Sequence, residues 1–352
     1  MARAEFHKLT VSKVRCLTDE SVAVSFAVPD SLQEKFAFIP GQYLTLKAVI
    51  DGENVRRSYS ICSKLGDAPE VGIKKLAGGK FSNYAQTLQA GCEVEVMTPQ
   101  GSFTALPGGR HRYLLVAAGS GITPCLAIAK TILAQERDTQ ITLIYGNRST
   151  STVMFRQDIG DLKDRYTDRF MVINILSRET QESDWLNGRI SGEKVERLAA
   201  LQLISPSDCD TAYICGPAEM VESVSAVLNE KMEVKTELFT TGVIPLQAVP
   251  ARALEKKGDA TPVSVTIDGA VHQVLVNADN ETVLTAAQRA GLDLPFSCAG
   301  GMCCTCRCKV LSGQTAMDMN FSLADWEVEA GFTLACQTRP LDDKVVLDFD
   351  EF

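Results

Sequence analysis

The chain has 352 residues, 45% hydrophobic and 22% charged, with a formal net charge of −9. That balance excludes a disordered or fibrous chain, suggests two or three domains, and its acidity argues against a nucleic-acid binder. The first ten residues carry charges where a leader peptide needs an apolar core, and no run reaches the roughly 18 apolar residues of a membrane helix, so the expectation is a cytoplasmic protein.

Residues 9–106 show short alternating apolar runs punctuated by Pro29-Asp30, Pro40-Gly41, Asp51-Gly52, Gly78-Gly79 and Pro99-Gln100-Gly101. Evenly spaced strands of this kind predict a small antiparallel β-barrel over residues 1–108. Within it, Arg57-Ser58-Tyr59-Ser60 offers a cation for phosphate, an aromatic face for a ring system and a hydroxyl for a ring nitrogen. Gly79-Lys80-Phe81-Ser82 offers backbone N–H groups and a hydroxyl to a pyrophosphate. Taken singly, either segment reads equally as ordinary strand and turn.

Beyond residue 109 strands and helices alternate, with strands at 112–118, 141–145, 170–176, 210–215 and 234–239, and helices from Pro124, around 155–166 and from Ala218. Such βα alternation predicts an α/β doubly wound, mostly parallel sheet over residues 109–240. Gly119-Ser120-Gly121-Ile122-Thr123-Pro124 leads from a strand into a helix, which suits phosphate approach, with Thr123 as N-cap and Pro124 as first helical residue. The segment departs from G-x-G-x-x-G, which disfavours a plain Rossmann dehydrogenase.

Residues 241–262 hold prolines and little periodicity and read as a linker. Residues 263–352 then promise two strands, a helix near 282–290, a cysteine loop and late strands at 332–336 and 345–349, a small α+β domain. This segment carries thirteen Asp and Glu against five Lys and Arg, a net −8. An acidic surface of that kind suits a basic protein partner, and equally a solvated face.

Six of the twelve cysteines fall between residues 298 and 336. Cys298, Cys303 and Cys306 make C-x4-C-x2-C, and Cys336 stands alone downstream, the spacing of a plant-type [2Fe-2S] site. Four thiolates must reach two bridged irons, so three come from one tight glycine-bearing loop and the fourth from a segment folded back against it. A structural zinc site is the alternative, but zinc favours two short cysteine pairs and leaves Cys336 unexplained. Cys304 and Cys308 are expected to point away from the cluster. The remaining cysteines show no disulfide framework, consistent with a reducing compartment.

A one-electron centre joined to a nucleotide-type domain needs a converter between paired and single electrons, and a flavin supplies one. Arg57-x-Tyr59-Ser60, Gly79-x-x-Ser82, Gly119-x-Gly121-Ile122-Thr123-Pro124 and Cys215-Gly216-Pro217, in this order, resemble the ferredoxin-NADP+ reductase superfamily over residues 8–240. The C-terminal stretch resembles a plant-type ferredoxin of β-grasp fold. With Tyr145-Gly146-Asn147-Arg148, Met154-Phe155-Arg156-Gln157 and Gly188-Arg189-Ile190, the whole chain looks most like the reductase components of phenylacetyl-CoA epoxidases.

The resemblance implies that Tyr59 stacks on the flavin ring and Ser60 bonds near its N5. It implies that Arg57 and Gly79, Lys80, Phe81 and Ser82 hold the pyrophosphate of FAD, favoured over FMN because FMN-type relatives carry a loop richer in glycine and arginine. Gly119, Gly121 and Thr123 then line the nucleotide loop, and Cys215, Gly216 and Pro217 shape the nicotinamide pocket. Glu237 and Phe239 match an acid-x-aromatic ending in which the aromatic covers the flavin, and Ser60, Cys215 and Glu237 are the implied catalytic residues. Ser177 and Arg178, assisted by Arg148, imply a 2′-phosphate site and hence NADPH. The implied function is electron delivery from NADPH through FAD and the cluster to an oxygenase component. Another acceptor, such as a Rieske oxygenase or hybrid-cluster protein, and a redox-sensing module without turnover are the alternatives.

Overall fold

The computed structural model describes residues 5–109, 111–239, 260–267, 269–277 and 281–351. The chain divides near residue 241 into two compact units. Residues 241–259 of the expected linker lie outside the described residues.

The first unit opens with six antiparallel strands, β1 (Phe6–Thr18), β2 (Ser21–Ala27), β3 (Tyr43–Ile50), β4 (Glu53–Ser60), β5 (Glu70–Lys74) and β6 (Glu93–Met97), with a short helix α1 (Lys80–Tyr84) between the last two. Their order is β4-β3-β6-β1-β2-β5. Ile61, just past β4, bridges Val71 of β5, so the two edge strands meet and the barrel closes. Closure removes the unpaired edges that an open sheet would expose. Inward-facing Leu9, Val11, Val24, Phe26, Leu44, Leu46 and Phe81 fill the interior, as the alternating pattern requires.

A five-stranded parallel sheet follows: β7 (Arg112–Ala118), β8 (Gln140–Asn147), β9 (Phe170–Leu176), β10 (Thr211–Gly216) and β11 (Glu233–Leu238). The order β11-β10-β7-β8-β9 places the reversal of winding between β7 and β10, where doubly wound folds bind ligands. Helices α2 (Ile122–Gln135) and α3 (Arg156–Arg165) cover one face, while α4 (Gly192–Ala200) and α5 (Ala218–Leu228) cover the other. With both faces covered, β7 and β10 read as nearly unbroken apolar runs. Helix α2 starts at Ile122, not Pro124, because Gly119–Gly121 forms a tight 3-10 turn that runs straight into it. The Thr123 hydroxyl therefore donates to Ser120 O (2.9 Å) and does not serve as N-cap.

The second unit contains β12 (Thr261–Ile267), β13 (Ala270–Val276), α6 (Val283–Arg289), β14 (Arg307–Ser312), β15 (Thr315–Met317), α7 (Asp325–Glu329), β16 (Phe332–Leu334), β17 (Thr338–Pro340) and β18 (Val345–Asp348). The main sheet runs β13-β12-β18-β14-β16, with β12 and β18 parallel and the other pairs antiparallel. Val263, Val265, Val274, Leu334, Val345 and Leu347 pack with Leu284 and Ala287 of α6, so the sheet grips one helix in the β-grasp manner. Strand β16 stops at Leu334, two residues short of Cys336, which sits in the turn that follows.

Candidate functional site

Strand β4 carries Arg57 and Tyr59 on one face and Ser60 on the other. The half-buried Tyr59 ring stands 5.7 Å from the ring of Phe81, tilted by 43°. Burial pushes the Tyr59 hydroxyl's pKa up, against the opposing charge of Arg57, so the phenol stays neutral. Arg57 is exposed, its guanidinium donating to Arg56 O (2.6 Å). Phe81 is fully buried in the barrel core and braces Tyr59 from behind. The Ser82 hydroxyl accepts from Leu76 N (3.1 Å) and donates to Gly79 O (3.3 Å), closing the loop before α1. What remains for a pyrophosphate is the backbone at Gly79 and the first turn of α1, where N–H groups lack helical acceptors. Lys80 stands beside them on the surface, paired with Glu53 at 2.5 Å. A half-exposed aromatic face next to an exposed guanidinium and an amide-rich turn fits a flavin nucleotide.

Ser60 is 3% exposed. Its hydroxyl donates to Glu237 Oε2 (3.2 Å), across 177 residues of sequence. The Cys215 thiol lies 3.8 Å from the same oxygen. Barrel strand β4, the switch-point strand β10 and its neighbour β11 thus bring all three expected catalytic residues to one point. Burial first, and then the charge of Glu237, lifts the Cys215 pKa well above that of a free thiol, so Cys215 is a neutral donor. Phe239 N donates to Gly216 O (2.8 Å), and its partly buried ring packs against the core cluster that contains Cys215. Pro217 sets the extended backbone that starts α5.

The nucleotide loop lies beside this point. A Cβ on Gly121 would fall 2.2 Å from Cys215 O, so only glycine lets the β7 loop close on the end of β10. Tyr145 of β8, fully buried, donates to Gly119 O (2.9 Å) and pins the loop from below. Ser177 and Arg178 follow β9 on the surface, and their N–H groups donate to Asn147 O (3.0 Å) and Arg148 O (2.7 Å). Arg148 is also exposed and lies close enough to Lys74 of β5 that, after burial, its charge is the next cause of a lowered Lys74 pKa. Like charges gathered on one rim fit an anionic ligand. Lys74 was not signalled by any local motif, and Tyr145 stood in a quoted segment without a role, since both act through contacts between elements.

In the second unit the loop between α6 and β14 carries Cys298, Cys303 and Cys306, and Cys336 approaches from beyond β16. The side chains fall into two hydrogen-bonded pairs, Cys298 with Cys303 and Cys306 with Cys336. In the first pair the bond from Cys298 holds Cys303 below the usual thiol range while Cys298 is raised, and in the second the bond from Cys306 lowers Cys336 while Cys306 is raised. Among the described residues no three of these side chains converge on a single point as one metal ion would need. Two pairs of thiols suit two irons, one pair each. Gly300 N and Met302 N point at Cys298 Sγ (3.4 and 3.3 Å), Cys298 N at Cys303 Sγ (3.4 Å), and Gln337 Nε2 at Cys336 Sγ (3.6 Å). Donors aimed at sulfur stabilise the thiolate form a cluster requires. Gly301, at φ 75°, makes the curl possible, because a Cβ there would press on Met319 O at 3.0 Å. Cys304 turns away to donate to Ser322 O (3.1 Å), and Cys308 is buried in the sheet core, both as expected.

Residues 8–105 match the oxidoreductase FAD-binding domain family, 115–226 the oxidoreductase NAD-binding domain family, and 265–341 the 2Fe-2S iron-sulfur cluster binding domain family. The chain is 47% identical over 353 residues, 98% of each chain, to a subunit of the 1,2-phenylacetyl-CoA epoxidase of Escherichia coli K12. It is 34% identical, over 97% of its length and 96% of the relative's, to the ferredoxin reductase component of 3-ketosteroid-9-alpha-monooxygenase from Rhodococcus rhodochrous. Among solved structures the fold is that of phthalate dioxygenase reductase, with TM-score 0.56, 20% identity and 98% of both chains covered. It also matches 41% of an intact type IV self-sufficient cytochrome P450 monooxygenase, with TM-score 0.69, 22% identity and 97% of this chain covered. The three matching domain families in this order, with end-to-end identities of 47% and 34%, place the chain in the family of FAD- and [2Fe-2S]-dependent, pyridine-nucleotide-oxidising reductase components of oxygenases.

Proposed function

We propose that this reductase draws electrons from NADPH and delivers them in the cytoplasm to the oxygenase of a phenylacetyl-CoA epoxidase. The observation that carries the proposal is the end-to-end 47% identity with one subunit of such an enzyme. When bound, FAD accepts an electron pair from the reduced nicotinamide and releases single electrons to the [2Fe-2S] cluster.

The chain's residues supply the setting. Tyr59 offers one face to the flavin ring, while Ser60, its proton donated to Glu237, presents the lone pairs of its hydroxyl oxygen at the ring edge. Cys215 bounds the nicotinamide pocket as a neutral thiol, and Gly119, Gly121 and Thr123 hold the pyrophosphate against the start of α2. Ser177, Arg178 and Arg148 favour NADPH, because guanidinium groups bind a phosphate with charge-assisted bonds that a ribose hydroxyl cannot match. Cys298, Cys303, Cys306 and Cys336 hold the cluster.

The exit surface is built by residues 320–329, which bind the cluster loop through Phe321 N and Ser322 Oγ to Gly301 O (3.1 and 3.0 Å). Their outer side exposes Phe321, Trp326 and Val328 among Asp325 and Glu329. An apolar patch with an acidic rim fits a partner with a basic-rimmed apolar pocket.

Anaerobic mixing of the loaded protein with NADPH or NADH, followed by flavin absorbance and the paramagnetic signal of the reduced cluster, tests the relay. Adding the purified oxygenase components and phenylacetyl-CoA tests the destination. Product formation with NADPH preferred is expected. A reduced cluster that supports no epoxide formation overturns the assignment of partner and turns the search to other oxygenases, a reading favoured by the 34% identity to a steroid monooxygenase component. Absence of any NADPH-driven dye reduction would instead favour a sensing module.

A further inference from the structure

Asn147 ends β8 on the side of the sheet that carries Ile141, Leu143 and Tyr145, a column that is otherwise core. It is only 8% exposed, and neither its amide nitrogen nor its amide oxygen has a partner at bonding geometry. The Tyr145 hydroxyl lies near enough that the amide partly offsets the burial that raises its pKa, but the pair is not at bonding geometry and the hydroxyl directs its proton to Gly119 O at 2.9 Å. Buried polar groups are almost always hydrogen-bonded, and an amide left unpaired at the end of an apolar column is a cost without a structural return. Such costs persist where a ligand removes them.

The position says which ligand. On one side Tyr145 ties Asn147's own strand to the Gly119 loop at the switch point. On the other, the backbone oxygen of Asn147 accepts from Ser177 N (3.0 Å) and Ser177 Oγ (3.3 Å) at the foot of the Ser177–Arg178 rim. The amide therefore lies between the pyrophosphate loop and the adenosine end of a dinucleotide running along the carboxyl edge of the sheet. An amide offers a donor and an acceptor together. A phosphate can use only the donor, whereas a ribose hydroxyl can use both.

We propose that the Asn147 side chain binds a ribose hydroxyl common to NADH and NADPH, a contact that sets affinity for the coenzyme without choosing between the two. The inference rests on the reading of residues 119–123 and 177–178 as the nucleotide site. It divides the labour along the rim: Asn147 reads the shared ribose, and Arg178 and Arg148 read the extra phosphate.

The test is Asn147→Leu in the full-length protein loaded with flavin and cluster. NADP+ and NAD+ binding are measured by titration calorimetry, and the nucleotide-free protein by its melting temperature. The expected result is a loss of about tenfold or more in affinity, equal for the two coenzymes, with KM raised, kcat little changed, and a melting temperature equal to or above that of the unsubstituted protein. Asn147→Asp, which keeps the size but removes the donor and adds a charge near phosphate, is expected to lose at least as much affinity. Unchanged affinity in either variant overturns the inference. So does a fall in melting temperature that accompanies the loss in Asn147→Leu while Asn147→Asp binds normally, because the residue is then structural. Failure of the unsubstituted protein to bind either coenzyme removes the reading of the site and this inference with it.

Discussion

Cys215 is fully buried, with its thiol beside a carboxylate, and both facts hold the proton on sulfur. A free cysteine loses its proton near about pH 8.5 and reacts as the thiolate. Iodoacetamide at that pH is therefore expected to label the exposed Cys16 and to leave Cys215 untouched, as peptide mapping would show. For the same reason the pH profile of flavin reduction should carry no inflection from this thiol; labelling of Cys215 in the folded protein would contradict both statements. Ser60 donates to Glu237, and if the proposed role at the flavin edge holds, Ser60→Ala should slow flavin reduction by about 10²-fold while leaving NADPH binding intact. Glu237→Gln keeps an acceptor for Ser60 but removes the charge that helps to raise Cys215, and a milder loss is expected. Stopped-flow reduction rates separate the two, and equal rates for Ser60→Ala and the parent would remove the junction from the mechanism. Each of these three residues was marked separately in the sequence, by motif resemblance. Their meeting was not, because the bond from Ser60 to Glu237 joins a barrel strand to a sheet strand 177 residues on.

Between elements, the barrel and the doubly wound sheet share a charged clasp that no motif announces. Arg15 of β1 bonds Asp158 of α3 (2.8 Å) and Glu70 of β5 (3.3 Å), and Lys130 of α2 bonds Asp158 from the other side (2.9 Å). Both cations lie 5.8 Å from the ring centre of Phe155, a buried residue held at φ 57°, in the left-handed region that costs an aromatic residue strain. Burial would raise the Asp158 pKa, but the bonds from Arg15 and Lys130 outweigh it and the net shift is downward. A carboxylate whose folded pKa is depressed contributes stability above its unfolded value and loses it as pH falls through the folded one. Asp158→Asn, which leaves two cations facing each other, should therefore destabilise by roughly 1–3 kcal/mol near neutrality. The gap from the parent, followed by heat-induced flavin release, should close as the medium is acidified. A gap independent of pH would mean that the charge is not what holds the clasp. The elements themselves were legible where burial is complete: β7 and β10 declare themselves as nearly unbroken apolar runs that each end at a glycine, Gly119 and Gly216. Strand β14 escaped because its inward residues, Cys308 and Val310, alternate with Arg307 and Lys309 directly after the ligand loop, so Cys308 read as a spare thiol before it read as core. Helix α4 escaped because it is short, half-polar and set between turns, and its amphipathic face gains meaning only against α5.

At the scale of the molecule, charge is divided unequally. Residues 263–352 carry thirteen acidic and five basic side chains, so −8 of the chain's −9 lies there. Several of those acids are already committed inside the unit: Asp318 clamps Arg339 (2.7 Å), and Glu327 holds Arg307, which stacks 4.3 Å over the ring of Phe332. Asp325 and Glu329, next to Trp326, are exposed on α7 and available to steer a partner. Exposed charges interact over about 10 Å at 0.1 M salt and over much less at higher salt. Electron delivery to the oxygenase should accordingly weaken as salt is raised from low to moderate concentration, through the apparent KM for the oxygenase and not through kcat. NADPH-driven reduction of a small neutral dye, which needs no docking, should stay nearly constant over the same range. Trp326 is 65% exposed and contributes apolar area that salt does not screen. Trp326→Ala should therefore raise the same KM by a factor that salt leaves unchanged, whereas Asp325→Asn combined with Glu329→Gln should abolish most of the salt dependence. A KM indifferent to all three substitutions would move the docking surface away from the segment that covers the cluster loop, because among the described residues of this unit that segment is where exposed aromatic area, exposed acid and direct bonds to the ligand-bearing backbone coincide.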